Sequence, residues 1–168
     1  MKRLYLQRHA KSSWSNSGLA DHDRPLAGRG ERDGPWIARR LRAHGAVPQL
    51  IIASSAVRAR RTAQIIAAEL GLPSGAVAID PDLYLASPQL ILATAKRTDD
   101  ALSSIMLVGH NPGLTELAAW LAPQLELDNL PTAGVLAADF DVSSWTALDA
   151  PVLQYYDYPK NPGPPLGG

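Results

Sequence analysis

The sequence has no cysteine, which excludes disulfides, a thiol nucleophile and cysteine-ligated zinc or iron–sulfur centres. An excess of charge of one sign is also missing. Sixteen Lys and Arg balance sixteen Asp and Glu over 168 residues, so there is no field of the kind that long nucleic-acid contacts or anionic membranes need. Any cationic site has to be local. No apolar run approaches the roughly 20 residues of a membrane-spanning helix, and the opening MKRLYLQRH carries neither the long apolar stretch nor the cleavage site of a secretory signal. The expectation from these absences is a cytoplasmic protein with no nucleic-acid and no membrane partner. Two familiar motifs are absent too. There is no G-x-S-x-G nucleophile elbow, and Gly28-Arg29-Gly30 with Gly34 misses the G-x-G-x-x-G spacing and follows no strand, so it reads as a turn.

Short β-branched-rich runs are present at residues 4–6, 50–53, 77–79, 105–108 and 135–140, each of strand length. Helical patterns fall between them. Residues 58–70 place Ala59, Ala63, Ile66, Ala67 and Leu70 on one face, and Gly71 closes the pattern where a left-handed residue is favoured. Ser87-Pro88 opens another helix as N-cap and first-turn proline, and Asn111-Pro112 repeats the device before Leu114, Leu117, Ala118 and Leu121. Residues 31–44 are helical in pattern as well, with Gly34-Pro35 either beginning that helix or kinking it. Alternating strands and helices predict an α/β layered domain with a mostly parallel sheet over residues 1–156. Residues 157–168, DYPKNPGPPLGG, predict a mobile Pro/Gly-rich tail.

Three strand-to-helix junctions hold unusual residues: Gln7-Arg8-His9, Ser54-Ser55-Ala56-Val57-Arg58 and Gly109-His110-Asn111-Pro112-Gly113. In an open parallel sheet the C-terminal strand ends form the ligand crevice, so two arginines and two histidines would meet there. A cation in a first helical turn, as Arg58 would be, opposes the helix dipole and calls for an anion nearby. Guanidinium forks with free helix N–H groups suit a phosphate. A neutral imidazole is a good nucleophile toward phosphorus, and neighbouring arginines keep it unprotonated near neutral pH. Two arginines and a histidine could then neutralise the charge that phosphoryl-transfer enzymes often neutralise with Mg²⁺. Other histidines read as ordinary: His44 as a structural group near the end of a basic helix, and His22 in Asp21-His22-Asp23 without the second cluster a metal site needs. No metal and no cofactor are expected.

These motifs resemble the histidine phosphatase (phosphoglycerate mutase-like) superfamily, and within it the SixA-type phosphohistidine phosphatases. The superfamily Arg-His-Gly is matched by Arg8-His9-Ala10, and Ala10 followed by Lys11-Ser12-Ser13-Trp14 looks like the SixA-type variant. SSAVRARRTA and VGHNPGL match the second and third signatures, and DHDRPLAGRGERD, PDLYLASP and NLPTAGVLAADFD are similar to the same subgroup. The likeness runs from about residue 4 to about residue 159.

The resemblance implies a three-layer α/β sandwich, with a mostly parallel central sheet covered by helices on both faces. It implies His9 as a nucleophile forming a phosphohistidine, Arg8 and Arg58 as a clamp on phosphate oxygens, His110 as a donor to an oxygen in the transition state, and the Asn111 backbone N–H in the same pocket. Three departures stand out: Ser55 replaces a common proline, Ser15 replaces an asparagine that often contacts phosphate, and Leu83-Tyr84-Leu85-Ala86 lacks the glutamate that larger members use as general acid. Asp21 and Asp23 are the candidate acids, or else an ion-pair cluster with Arg24. Protonating an ester leaving group is commonly worth about 10²- to 10⁴-fold. Imidazole is a better leaving group than an alkoxide, so an acid-poor site favours P–N cleavage. The expected function is a metal-independent phosphatase acting on phosphohistidine in a protein, such as a phosphohistidine-bearing signalling domain. The alternatives are a phosphatase or mutase of small phosphoesters and a non-catalytic phosphate-binding module. The last is disfavoured because all four residues needed for chemistry are present.

Overall fold

The computed structural model describes residues 1–167; Gly168, the last residue of the expected tail, lies outside the described residues. In chain order the elements are β1 (Lys2–Arg8), α1 (Gly28–Ala43), β2 (Leu50–Ala53), α2 (Val57–Leu70), β3 (Val77–Ile79), α3 (Pro88–Lys96), β4 (Ser104–Gly109), α4 (Gly113–Leu121), β5 (Val135–Phe140) and β6 (Val152–Asp157). They build one six-stranded sheet in the order β3-β2-β4-β1-β5-β6. The first four of these strands run parallel, and β5 and β6 are antiparallel to their neighbours. Central strands in such a sheet are covered on both faces and read as continuous apolar runs, as Leu4, Tyr5 and Leu6 in β1 and residues 105–108 in β4 do.

Alternate side chains divide between two apolar layers. Tyr5, Ile51, Met106, Val135 and Ala137 pack with Ile37, Leu41, Ala59, Ala63 and Ile66 from α1 and α2. Leu4, Leu6, Ile105, Leu107 and Leu136 pack on the other face with Ile91, Leu114, Leu117 and Leu121 from α3 and α4. The helices therefore cover both faces, and the three-layer architecture holds.

Local chemistry explains most element ends. Ser87 Oγ accepts from the Leu90 N–H at the start of α3, and Gly71, left-handed at φ 66°, ends α2. Asn111 acts from two residues before α4, its Oδ1 accepting from the N–H and the hydroxyl of Thr115.

Three segments differ from the sequence reading. The Gly28-Arg29-Gly30 stretch is the first turn of α1 and not a loop, because Gly30 lies so close to the segment after β1 that a Cβ would sit 2.2 Å from the Lys11 carbonyl oxygen. Pro35 is consequently interior to α1, and the adjacent Gly34 packs on Ile65 of α2. β6 was not expected; its residues, including buried Tyr155 and Tyr156, add an edge strand to β5 with an irregularity at Ala137 and Ala138. The third difference is the segment that follows. Leu166 exchanges both backbone hydrogen bonds with Tyr156, while Arg40 donates to the buried Asp157 carboxylate and to the Gly163 carbonyl. The expected tail thus packs along the sheet.

Candidate active site

Sheet register brings the first and third junctions side by side. Arg8 pairs with Gly109 across β1 and β4, the His9 N–H continues to the Gly109 carbonyl, and the Ser54 N–H after β2 reaches the Val108 carbonyl. His9 and His110 consequently emerge from neighbouring strand ends with ring centroids 5.2 Å apart. Arg58, in the first turn of α2, reaches the same point, its Nη2 donating to His110 Nδ1 at 3.3 Å. Residues far apart in the chain thereby converge, as crevices at parallel strand ends allow.

His9 has a defined tautomer. Its Nδ1 lies 2.8 Å from the Ala10 carbonyl oxygen, which can only accept, so Nδ1 carries the proton and Nε2 keeps its lone pair. Burial, aided by the Arg58, Arg8 and Arg24 cations and opposed by the Ala10 bond, pushes the His9 pKa down to about 4. The imidazole is neutral at pH 7. Ala10, fully buried, is held by its N–H donating to Thr62 Oγ1, whose hydroxyl donates to the Arg58 carbonyl.

His110 is neutral as well, and burial followed by His9 and Arg58 lowers its pKa to about 3. Because the Arg58 guanidinium can only donate to Nδ1, the proton sits on Nε2 and is donated to Ser54 Oγ at 2.8 Å. That hydroxyl also accepts from the Ala56 N–H.

Arg58 is buried and Arg8 half-buried, and neither is saturated. Arg8 donates through Nη1 to the Leu130 carbonyl, and burial first, then Arg58, depresses its pKa. Arg58 donates to the Asp21 carbonyl at 2.7 Å and to the Asp21 carboxylate at 3.0 Å. Each keeps a buried Nε with no partner. Unpartnered buried donors are rare in folded proteins, and two guanidinium groups holding them beside paired imidazoles match a tetrahedral oxyanion.

Asp21 collects donors from three sides. Its carboxylate accepts from the Tyr84 hydroxyl at 2.5 Å, Arg58 and Arg24. The Tyr84 hydrogen bond, then Arg58 and Arg24, outweigh desolvation and lower its pKa to about 2, so it is a carboxylate at neutral pH. Asp23 is exposed, and among the described residues its carboxylate meets only His22 Nδ1, at 3.5 Å. Ser15 is exposed and bonds to Ser13. His22 directs Nε2 to Ser55 Oγ at 2.9 Å, and His44 packs edge-on against Tyr155. Asn111 braces the loop, its Nδ2 donating to Asn129 Oδ1 and the Leu130 carbonyl.

Three contributors escaped the sequence reading. Tyr84 stands where a glutamate was sought, with its ring edge-on to His110 at 5.4 Å and to His22 at 4.8 Å. Ser54 and Thr62 are the others. Only PDLYLASP and SSAVRARRTA, quoted for their likeness, contained a signal for them.

A six-stranded α/β sandwich with arginines and histidines converging at its strand ends places the chain in the histidine phosphatase class of folds. The chain belongs to the histidine phosphatase superfamily, branch 1, whose sequence pattern it matches over residues 4–84, and within it to the SixA-type group. It is 31% identical to the candidate phosphohistidine phosphatase SixA from Agrobacterium tumefaciens, with a TM-score of 0.73 over 83% of this chain and 92% of that one. A protein histidine phosphatase SixA solved with tungstate shares the fold at a TM-score of 0.79 and 20% identity, over 94% of this chain and 97% of that one. An uncharacterised chloroplastic protein of Arabidopsis thaliana is 37% identical over 129 residues, which are 72% of this chain and 59% of that protein's length. An uncharacterised Mycobacterium tuberculosis protein is 37% identical over 115 residues, 68% of this chain and 69% of that one.

Proposed function

We propose that the protein is a metal-independent phosphatase of phosphohistidine borne on another protein, working through a phosphohistidine on His9 in an aqueous compartment such as the cytoplasm. One observation carries the reading: a neutral imidazole with a free Nε2 lies beside two arginines, each with a buried, unpartnered Nε. The His9 Nε2 lone pair attacks phosphorus while the P–N bond of the substrate breaks, and its imidazole departs carrying a proton on the ring. Arg8, Arg58 and the Asn111 N–H hold the equatorial oxygens. Water then attacks the phosphorylated His9, releasing phosphate and restoring the neutral ring.

The substrate class follows from the acids. Asp21 is held as a carboxylate by Tyr84, Arg58 and Arg24, so it orients Arg58 and has no proton to give; Asp23 is exposed and paired with His22. An ester would lack the help its alkoxide needs. His110, with a proton shift across its ring once Arg58 turns to phosphate, would donate from Nδ1 while Ser54 donates to Nε2.

The test uses a ³²P-phosphohistidine protein, a phosphoserine peptide and p-nitrophenyl phosphate in EDTA, with alkaline trapping of labelled enzyme. Label is expected on the parent protein and absent from His9→Ala, whose turnover drops by roughly 10³-fold or more. Undiminished turnover in His9→Ala refutes the mechanism, loss of activity in EDTA refutes metal independence, and preference for the phosphoserine peptide, whose alkoxide needs an acid, overturns the substrate.

A further inference from the structure

Beside the phosphate pocket lies a cleft of about 350 Å³ that the chemistry of His9 does not use. Four segments meet there: the loop after β1, the first turn of α1, the loop before β5 and the segment after β6. Every charged residue lining it is a cation, namely Arg8, Lys11, Arg29 and Lys160. In a chain with no net charge this is a local concentration, and its partners make it stand out. Several arginines elsewhere are matched with carboxylates, as in Arg3 with Asp139, Arg40 with Asp157, Arg61 with Glu31 and Arg97 with Asp80. Among the described residues neither Lys11 nor Lys160 forms such a pair. Arg29 has Asp33 behind it at 3.4 Å and donates to Thr132 Oγ1 at 3.3 Å.

Arg8 is the shared wall. It precedes His9 in the chain, so a group in the cleft and a phosphoryl group on His9 would belong to one substrate.

We infer that this cleft is a second anion subsite, which receives the acidic side chains flanking the phosphohistidine of a protein substrate. The inference rests on the function proposed above and specifies its partner as acidic around the modified residue. The distribution of the cations favours a protein over a compact bis-phosphate. They come from three separate stretches, residues 8–11, the first turn of α1 and the segment after β6, and Lys11 and Lys160 are long flexible side chains, an arrangement that reads charge over an area. A small bis-phosphate calls for convergent forks and backbone donors.

Two phosphohistidine peptides of equal length test it, one flanked by four glutamates and one by four glutamines. The parent protein is expected to hydrolyse the glutamate peptide with kcat/KM about tenfold higher, through KM, with the advantage shrinking as salt rises. In the double variant Arg29→Glu, Lys160→Glu the preference disappears while the glutamine peptide is turned over as before. Equal turnover of the two peptides by the parent protein overturns the inference and leaves the phosphatase reading standing. Equal turnover accompanied by pyrophosphate inhibiting far better than orthophosphate also overturns it, assigning the cleft to a small bis-anion. Turnover of p-nitrophenyl phosphate but of neither peptide overturns the phosphohistidine reading and the inference with it.

Discussion

Replacing Tyr84 with phenylalanine removes one hydroxyl and keeps the ring against His110 and His22. Asp21 then loses the donor that contributes most to its low pKa, and its hold on Arg58 slackens. The expected result is a roughly two- to tenfold fall in kcat/KM with a stability loss of about 1 kcal/mol or less, read from steady-state kinetics and urea melts.

The histidines give a second expectation at this scale. Their folded pKa values, about 4 for His9 and about 3 for His110, lie below the ordinary 6.5. Between those limits the unfolded chain binds more protons than the folded one, so stability falls as pH falls from 6.5 toward 4. Asp21 contributes stability that is lost only as pH drops from 3.8 toward 2, below this window. Urea midpoints from pH 7 to pH 4.5 should therefore decline less steeply in His9→Asn than in the parent protein. The four central residues, Arg8, His9, Arg58 and His110, were readable because strand ends and charged side chains coincide in sequence. Tyr84 and Ser54 were not, because their roles depend on partners at Asp21 and His110 that only the fold brings near.

Elements were readable where one physical signal dominated. Buried strands such as β1 and β4 are unbroken apolar runs, and α3 begins on a serine and a proline. The start of α1 stays open in the sequence between residues 31 and 35 because glycines normally weaken a helix start, whereas here the missing Cβ at Gly30 admits the Lys11 carbonyl and the helix begins at Gly28. β6 escaped notice since Gln154 interrupts its apolar pattern and prolines follow it at once. Close backbone approach also fixes α4, where a Cβ on Gly113 would lie 2.0 Å from the Ala86 carbonyl oxygen. Gly113→Ala is expected to lower stability by roughly 1–3 kcal/mol. It should reduce phosphatase activity as well, because the turn that yields carries Tyr84. Thermal melts and kinetics on one preparation check both.

At the scale of the molecule the sheet edge depends on one ion pair. Asp157 is fully buried and takes donors from Arg40, Tyr155 and Asn161. Arg40→Ala leaves that carboxylate without its cation and should cost about 3 kcal/mol, measurable by chemical denaturation, with little change in kcat/KM because the pair lies outside the site. The central strand has a different consequence. β1 is flanked by β4 and β5, both remote from it in sequence, so a nascent polypeptide holds His9 with nothing beside it until those strands are made, and a refolding one must close long loops to seat it. Pairings that span the chain form slowly. Catalytic competence should consequently be the last property to return on refolding, lagging helical circular dichroism, which makes the enzyme's own turnover a clock for completion of its sheet.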